Sequence, residues 1–294
     1  SYLGQMGAVR KGAARMSPVT PSIPANEPRV ALVLGAIKGI GKGSGLDLAR
    51  RGFPVALTYY DWEEELPAMQ ADFAVFGANC NIFQVNLRDC DRVSQLIPEV
   101  VAQFGRLDIV INNIERGGWP VVHGPYTPAQ WDLEMETTLR AKRWVFEAAL
   151  PYLKAGGNGC VVNISSIAGL VGRSGPASLI FNDGYAAANR AISSFTESWA
   201  RVAAPEVRVN ELMLGLVATR HAATTRGWGL LEPDQKQALL DHTLLGRTGT
   251  IDDVVKAVRF IVDDAPFMSG SVIRLDGGYL LGGEKVTPMP PGVL

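Results

Sequence analysis

Seven short runs rich in β-branched residues, separated by longer stretches of helical periodicity, restrict this chain more than any other feature. They are RVALVLG (29–35), PVALTYY (54–60), NIFQVN (81–86), DIVINN (108–113), CVVNIS (160–165), VRVNELM (207–213) and SVIRLD (271–276). Most are apolar at successive rather than alternate positions, as strands buried on both faces are. Between them, Val93, Leu96, Ile97, Val100, Val101 and Phe104 fall on one helical face, and Pro98 is expected to interrupt and bend that helix. Thr250 and Asp253 read as a capping box ahead of Val254, Val255, Val258 and Ile261. Strands alternating with helices predict an α/β, doubly wound, Rossmann-type fold: about seven parallel strands with helices on both faces. The reading gives one domain over residues 29–283, a flexible extension at 1–28 and a proline-rich tail at 284–294.

Composition removes several classes of function. A net charge of −1 offers no basic field for nucleic acid or an anionic membrane. No apolar stretch reaches the roughly 20 residues of a membrane span. Cys80, Cys90 and Cys160 form no C-x-x-C pair, and Cys160, inside an apolar run, reads as a core residue. His123, His221 and His242 do not pair at ligand spacing, so no metal site is expected. A reducing, cytoplasmic setting fits this cysteine usage. Arg10, Lys11 and Arg15, with no acid before Glu27, leave an organelle address in the extension open.

The first strand runs into GAIKGIGKG, placing Gly35, Gly39 and Gly41 at a turn and the start of a helix. Absent side chains there let backbone N–H groups approach a pyrophosphate, which the helix dipole also favours. A glycine turn alone is a weak signal; its place after the first strand of a βα series strengthens it. After the second strand, TYYDW offers Tyr60 and Asp61 at the adenosine end. Asp61 reads as a helix cap before EEEL rather than a ribose ligand. Lys38 is either a solvated charge or a ligand for a 2′-phosphate, and NADPH is favoured over NADH.

The order of these signals resembles the short-chain dehydrogenase/reductase family in its single-domain, 3-oxoacyl reductase form. Gly35-x-x-x-Gly39-Ile40-Gly41 is similar to its glycine motif, LDIVINN (107–113) to its fourth strand, and VVNISS to the strand ending in its catalytic serine. YAAAN (185–189) stands where the family has Tyr-x-x-x-Lys, and GRTGTIDDVVKAVRFIVDD through MSGSVIRLDGG resembles its closing helix and strand. The resemblance implies that Gly35, Lys38, Gly39, Ile40, Gly41, Tyr60, Asn86, Leu87, Asn113, Asn189, Gly215, Val217 and Thr219 hold an NAD(P) dinucleotide. It also puts Tyr185, Ser166, Asn189 and Thr138 at the catalytic positions, with Ser165 as the alternative register for the serine.

Departures from the family pattern gather at those positions. Asn189 replaces the lysine, Thr138 the helix asparagine, Leu214 the proline of Pro-Gly, and Ile114-Glu115 the Ala-Gly of Asn-Asn-Ala-Gly. In the family scheme the lysine lowers the tyrosine pKa and holds the nicotinamide ribose. A cation about 5 Å from a phenol at an effective dielectric of about 20 contributes roughly 3 kcal/mol, or about two pKa units. Without it Tyr185 is expected to stay a neutral phenol, able to give a proton to a carbonyl but ill suited to take one from an alcohol. Glu115 is either a solvated loop acid or a cofactor neighbour. The resulting expectation is an NAD(P)H-dependent oxidoreductase reducing a small or acyl carbonyl substrate, with impaired or specialised turnover; the alternative is a catalytically silent dinucleotide-binding protein.

Two segments are expected to wall the substrate side, one carrying Trp119, His123 and Tyr126, the other, at 220–246, carrying Trp228. The helical stretches 129–154 and 184–203 carry Trp144, Phe146, Phe195 and Trp199. The equivalent helices pair subunits in the family, so a homodimer or homotetramer is implied.

Overall fold

The computed structural model describes residues 28–114, 125–219 and 228–292. Each of the seven apolar runs forms a strand: β1 (Ala31–Val33), β2 (Val55–Tyr59), β3 (Cys80–Gln84), β4 (Ile109–Asn112), β5 (Gly159–Ser166), β6 (Val207–Leu214) and β7 (Val272–Leu275). All pair in parallel, in the order β3-β2-β1-β4-β5-β6-β7. The chain leaves β1 in both directions, so the strand order reverses between β1 and β4. In such sheets a ligand crevice opens beyond the carboxyl ends at that reversal.

Nine α-helices lie among the described residues: α1 (Gly39–Arg50), α2 (Leu66–Ala74), α3 (Cys90–Phe104), α4 (Pro128–Glu134), α5 (Ala141–Gly156), α6 (Ala168–Val171), α7 (Asp183–Ala203), α8 (Pro233–His242) and α9 (Ile251–Arg259). Strand alternation sends Val30, Leu32, Val110, Val161 and Val209 to one face, where α3, α5 and α7 cover them. Ala31, Val33, Ile109, Ile111 and Leu212 face α1, α2 and α9. Phe146 and Phe195 stack on Trp199 with ring centroids 4.3 and 4.9 Å away, so these aromatics fasten α5 to α7 within one chain.

Local rules held where chemistry was local. Thr250 and Asp253 form the capping box of α9, and Cys160 is fully buried. Two expectations need correction. Helix α3 runs unbroken through Pro98 from Cys90 to Phe104, because its apolar stripe packs into the core on both sides of the proline. Asp61 caps nothing: Trp62, in the left-handed region at φ 66°, takes the N-cap position of the short turn at Glu63–Glu65. That turn is too short to need an acid upstream. One feature has no local signature: α4 passes into α5 through a π-helical turn, Met135–Arg140.

Candidate active site

A cleft of about 310 Å³ opens at the carboxyl ends of β1 to β4. Nine of the residues assigned to a dinucleotide line it: Gly35, Lys38, Gly39, Ile40, Tyr60, Asn86, Leu87, Asn113 and Thr219. Asp61 and Trp62 join them. The first turn of α1 holds no acid, and its N-cap, Lys38, makes no side-chain capping bond. The opening N–H groups of α1 are therefore left for an anion. At Gly39, with φ 61°, an added Cβ would meet only Thr219, at 3.9 Å, so the loop leaves room in front of those donors. The Asn113 amide donates to the Gly35 oxygen at 3.2 Å and braces the turn. The donor set and the space both fit a pyrophosphate.

Lys38 is not a freely solvated charge. Its ammonium lies 3.3 Å from Glu65 and 3.2 Å from the centre of the Trp62 ring. Gly41 stands apart from the cleft wall: a Cβ there would overlap the Gly35 carbonyl, so it permits helix-to-loop contact rather than ligand approach. Gly215 packs in the same way against Asp276. Val217 is buried in a two-residue bridge to Gly249. Neither lines this cleft.

Ser166 ends β5, and its Oγ accepts the Ala168 N–H at 3.1 Å. Ser165, the alternative register, points to the other face and donates to the buried carboxyl of Glu211. Tyr185 lies in the first turn of α7, its ring 6.0 Å from that of Phe181. Asn189, 3% exposed, turns its amide back onto its own helix and donates to the Tyr185 carbonyl at 2.9 Å. Thr138 is buried in the π turn, with its hydroxyl donating to Glu134. Glu134, itself buried, also accepts from the Tyr126 hydroxyl at 2.9 Å, and Tyr126 packs on Gly184 beside Tyr185. Glu115, Trp119 and His123 lie outside the described residues.

Beneath this end of the sheet runs a polar row. Asn112, Asn163 and Glu211 occupy adjacent in-register positions on β4, β5 and β6, all fully buried. Asn112 donates to Asn163 at 3.3 Å, and Asn163 donates to Thr196 of α7 at 3.0 Å. Burial pushes the Glu211 carboxyl up, against hydrogen bonds from Ser165 and Ser193 and the charges of Lys142 and Arg190. At the β4 end lies Lys142, its ammonium on the Asn112 and Ile114 carbonyls at 2.9 and 2.5 Å. The sequence reading missed Lys142, Glu134 and Glu211. Lys142 left a signal: it shares a helical stripe with Val145, Phe146, Ala149 and Leu153, all buried.

A family model described as enoyl-(acyl carrier protein) reductase matches residues 35–280. A 3-oxoacyl-[acyl-carrier-protein] reductase, FabG, of Staphylococcus aureus is 30% identical over 255 residues, 85% of this chain and 98% of its own. The chain belongs to the short-chain dehydrogenase/reductase family. A FabG of Thermotoga maritima is 27% identical across 87% of this chain and 99% of its own. Among solved structures, a short-chain dehydrogenase/reductase from Burkholderia xenovorans superposes with a TM-score of 0.74 at 25% identity, covering 87% of this chain and 99% of that one. ElxO, solved with NADP bound, has the same fold, with a TM-score of 0.75 at 24% identity over 87% of this chain and all of its own. By family this chain is an oxidoreductase, and the uncharged Asn189 stands one helical turn after Tyr185. Among the described residues no group of three or more His, Cys, Asp or Glu could hold a metal ion. No described helix is long and apolar enough to cross a membrane.

Proposed function

We propose that this chain is an NADPH-dependent carbonyl reductase acting on a small or acyl ketone, with Tyr185 as proton donor. The observation that carries the reading is the uncapped start of α1 facing an open glycine turn at the β1/β4 reversal. Those N–H groups would hold the pyrophosphate, and Lys38, on the Trp62 face at the cleft wall, would meet the 2′-phosphate. The FabG relatives and the NADP-bound ElxO support NADPH and a ketone substrate.

NADPH, when bound, supplies the hydride for the carbonyl carbon. The Tyr185 phenol gives its proton to the carbonyl oxygen as negative charge grows there, and solvent returns a proton to the phenol. Ser166 Oγ accepts the Ala168 N–H, which leaves its own O–H to donate to the same oxygen. A phenol neutral at pH 7 serves reduction directly, whereas oxidation needs its conjugate base, so ketone reduction outpaces alcohol oxidation. We further infer a homodimer or homotetramer built on α4–α5 and α7, checked by sedimentation.

The deciding experiment measures NADPH and NADH binding beside their consumption against a ketone panel. The expected result is NADPH binding with consumption, lost by roughly 10²-fold or more in Tyr185→Phe while binding persists. Tight binding with no consumption by any ketone overturns the reading in favour of a silent dinucleotide-binding protein.

A further inference from the structure

Directly under the cleft lies a buried lysine that the proposed reaction does not use. Lys142 is 1% exposed, in the first turn of α5, four residues after Thr138. Its ammonium donates to the backbone oxygens of Asn112, which ends β4, and of Ile114, which lines the cleft. The charge is therefore held at the carboxyl end of β4, where the strand order reverses and where a doubly wound sheet receives its ligand. Helix α7 is tied to the same row at Thr196, three turns after Tyr185. Thr196 accepts from Asn163, Asn163 accepts from Asn112, and the Asn112 amide also reaches the Lys142 carbonyl at 3.4 Å.

An ammonium in a buried stripe is expensive, and a methionine would fill that space without desolvating a charge. Asn189 meanwhile brings no charge and spends its amide on its own helix. We propose that Lys142 is a positioning residue that supplies from α5 the positive field Asn189 does not supply from α7. It makes the Tyr185 phenol a better acid and fixes the carbonyls of Asn112, at the end of β4, and of Ile114, at the cleft wall. This inference rests on the reading of Tyr185 as the proton donor. Tyr185 is then still neutral at pH 7 but titrates below an ordinary phenol, so the handicap expected from the sequence is offset.

Beyond α5, the charged groups on the elements packed around α7 are Asp183, Arg190, Glu197 and Arg201 on α7 itself, Asp132 and Glu134 on α4, Glu136 and Arg140 in the π turn, and Arg208 and Glu211 on β6. Glu134 is engaged by Tyr126 and Thr138, and burial favours the neutral form of Glu211. All of them stay constant when only position 142 is varied.

The test is a titration of the full chain labelled with [13Cζ]tyrosine, the Tyr185 signal being assigned by its loss in Tyr185→Phe. At an effective dielectric near 20, a unit charge moves the titration of a phenol by about one pH unit or more out to roughly 10 Å. The wild-type signal is expected to titrate below about 10. Lys142→Met is expected to titrate one to two units higher, Lys142→Arg close to wild type, and Lys142→Met with Asn189→Lys back at the lower value. A Lys142→Met midpoint matching wild type overturns the inference. If that variant does not fold, the wild-type midpoint decides, and a value at or above about 10 overturns it. The titration needs no turnover, so the two readings fail separately. An intact shift without NADPH consumption sinks the reductase; consumption without the shift sinks the role of Lys142.

Discussion

Gly39 and Gly41 stand two residues apart and answer different demands. Gly39 needs a positive φ and faces open space, whereas Gly41 sits against the Gly35 carbonyl. Gly39→Ala should therefore fold, at a cost of about 1–2 kcal/mol for the left-handed conformation, and lose about tenfold or more in NADPH affinity by crowding the anion turn. Gly41→Ala should fail as a fold, because the carbonyl it would strike is backbone. Thermal melts beside NADPH titrations separate the two; equal effects on both quantities would show that the residues share one role. Glu211 makes a second contrast. Its carboxyl is raised by burial above the ordinary 4.5, so the folded state binds the proton more tightly than the unfolded state does. Stability should fall as pH rises from the ordinary carboxyl value toward the raised one, which is the reverse of an ion-paired acid. Glu211→Gln removes the titration, so its melting temperature should gain on wild type as pH rises from about 4.5 to 8. A constant gap across that range would mean Glu211 does not titrate there.

At the scale of elements, the capping box of α9 shows why some of the structure was legible in the sequence. Thr250 and Asp253 are three residues apart, and the bonds they make close within that span. The Arg247 guanidinium and then Thr250 hold the Asp253 carboxyl down to about 2, below the ordinary 3.8. A depressed carboxylate adds stability above its unfolded value and loses that contribution as pH falls through the folded one. Asp253→Ala should thus cost about 1 kcal/mol at neutral pH. The gap should close between about pH 4 and 2 and narrow in high salt, since the group is at the surface. Melts of both proteins across that range check it. Strands read equally well, because continuous apolar runs announce themselves one segment at a time. The glycine turn read well for the same reason. The bond of Tyr126 to Glu134 and the partners of Lys142 did not, since they join groups 8 and 28 to 30 residues apart. A lysine four residues before Phe146 says only that it shares the buried stripe; what its ammonium binds is decided by the end of β4. Asp61 misled for the converse reason: a capping residue type stood where no regular helix followed directly.

Across the whole molecule the two ends of the sheet divide the labour. The carboxyl end holds the cleft, Tyr185 and Lys142, while the amino end holds a buried ion pair. There Arg106 grips Asp108 through two bonds of 2.7 Å, and Asp108 also accepts the Val30 N–H at 2.8 Å, tying the start of β4 to that of β1. Gly156 packs so closely on this carboxylate that a side chain there would displace it. Asp108 is fully buried and Arg106 nearly so. Removing one member of such a pair leaves a charge in the interior, which typically costs about 3–5 kcal/mol. Asp108→Ala should therefore lower the unfolding free energy obtained from urea denaturation by that amount, while the folded fraction binds NADPH as wild type does. Lys142→Met should do the opposite in kind, moving the Tyr185 titration and turnover more than it moves binding. A loss of NADPH affinity in Asp108→Ala at temperatures where it is fully folded would mean that strain crosses the sheet from one end to the other. The separation of stability from chemistry along the strand axis would then be wrong for this chain, and Lys142 would have to be read as part of one continuous buried polar frame.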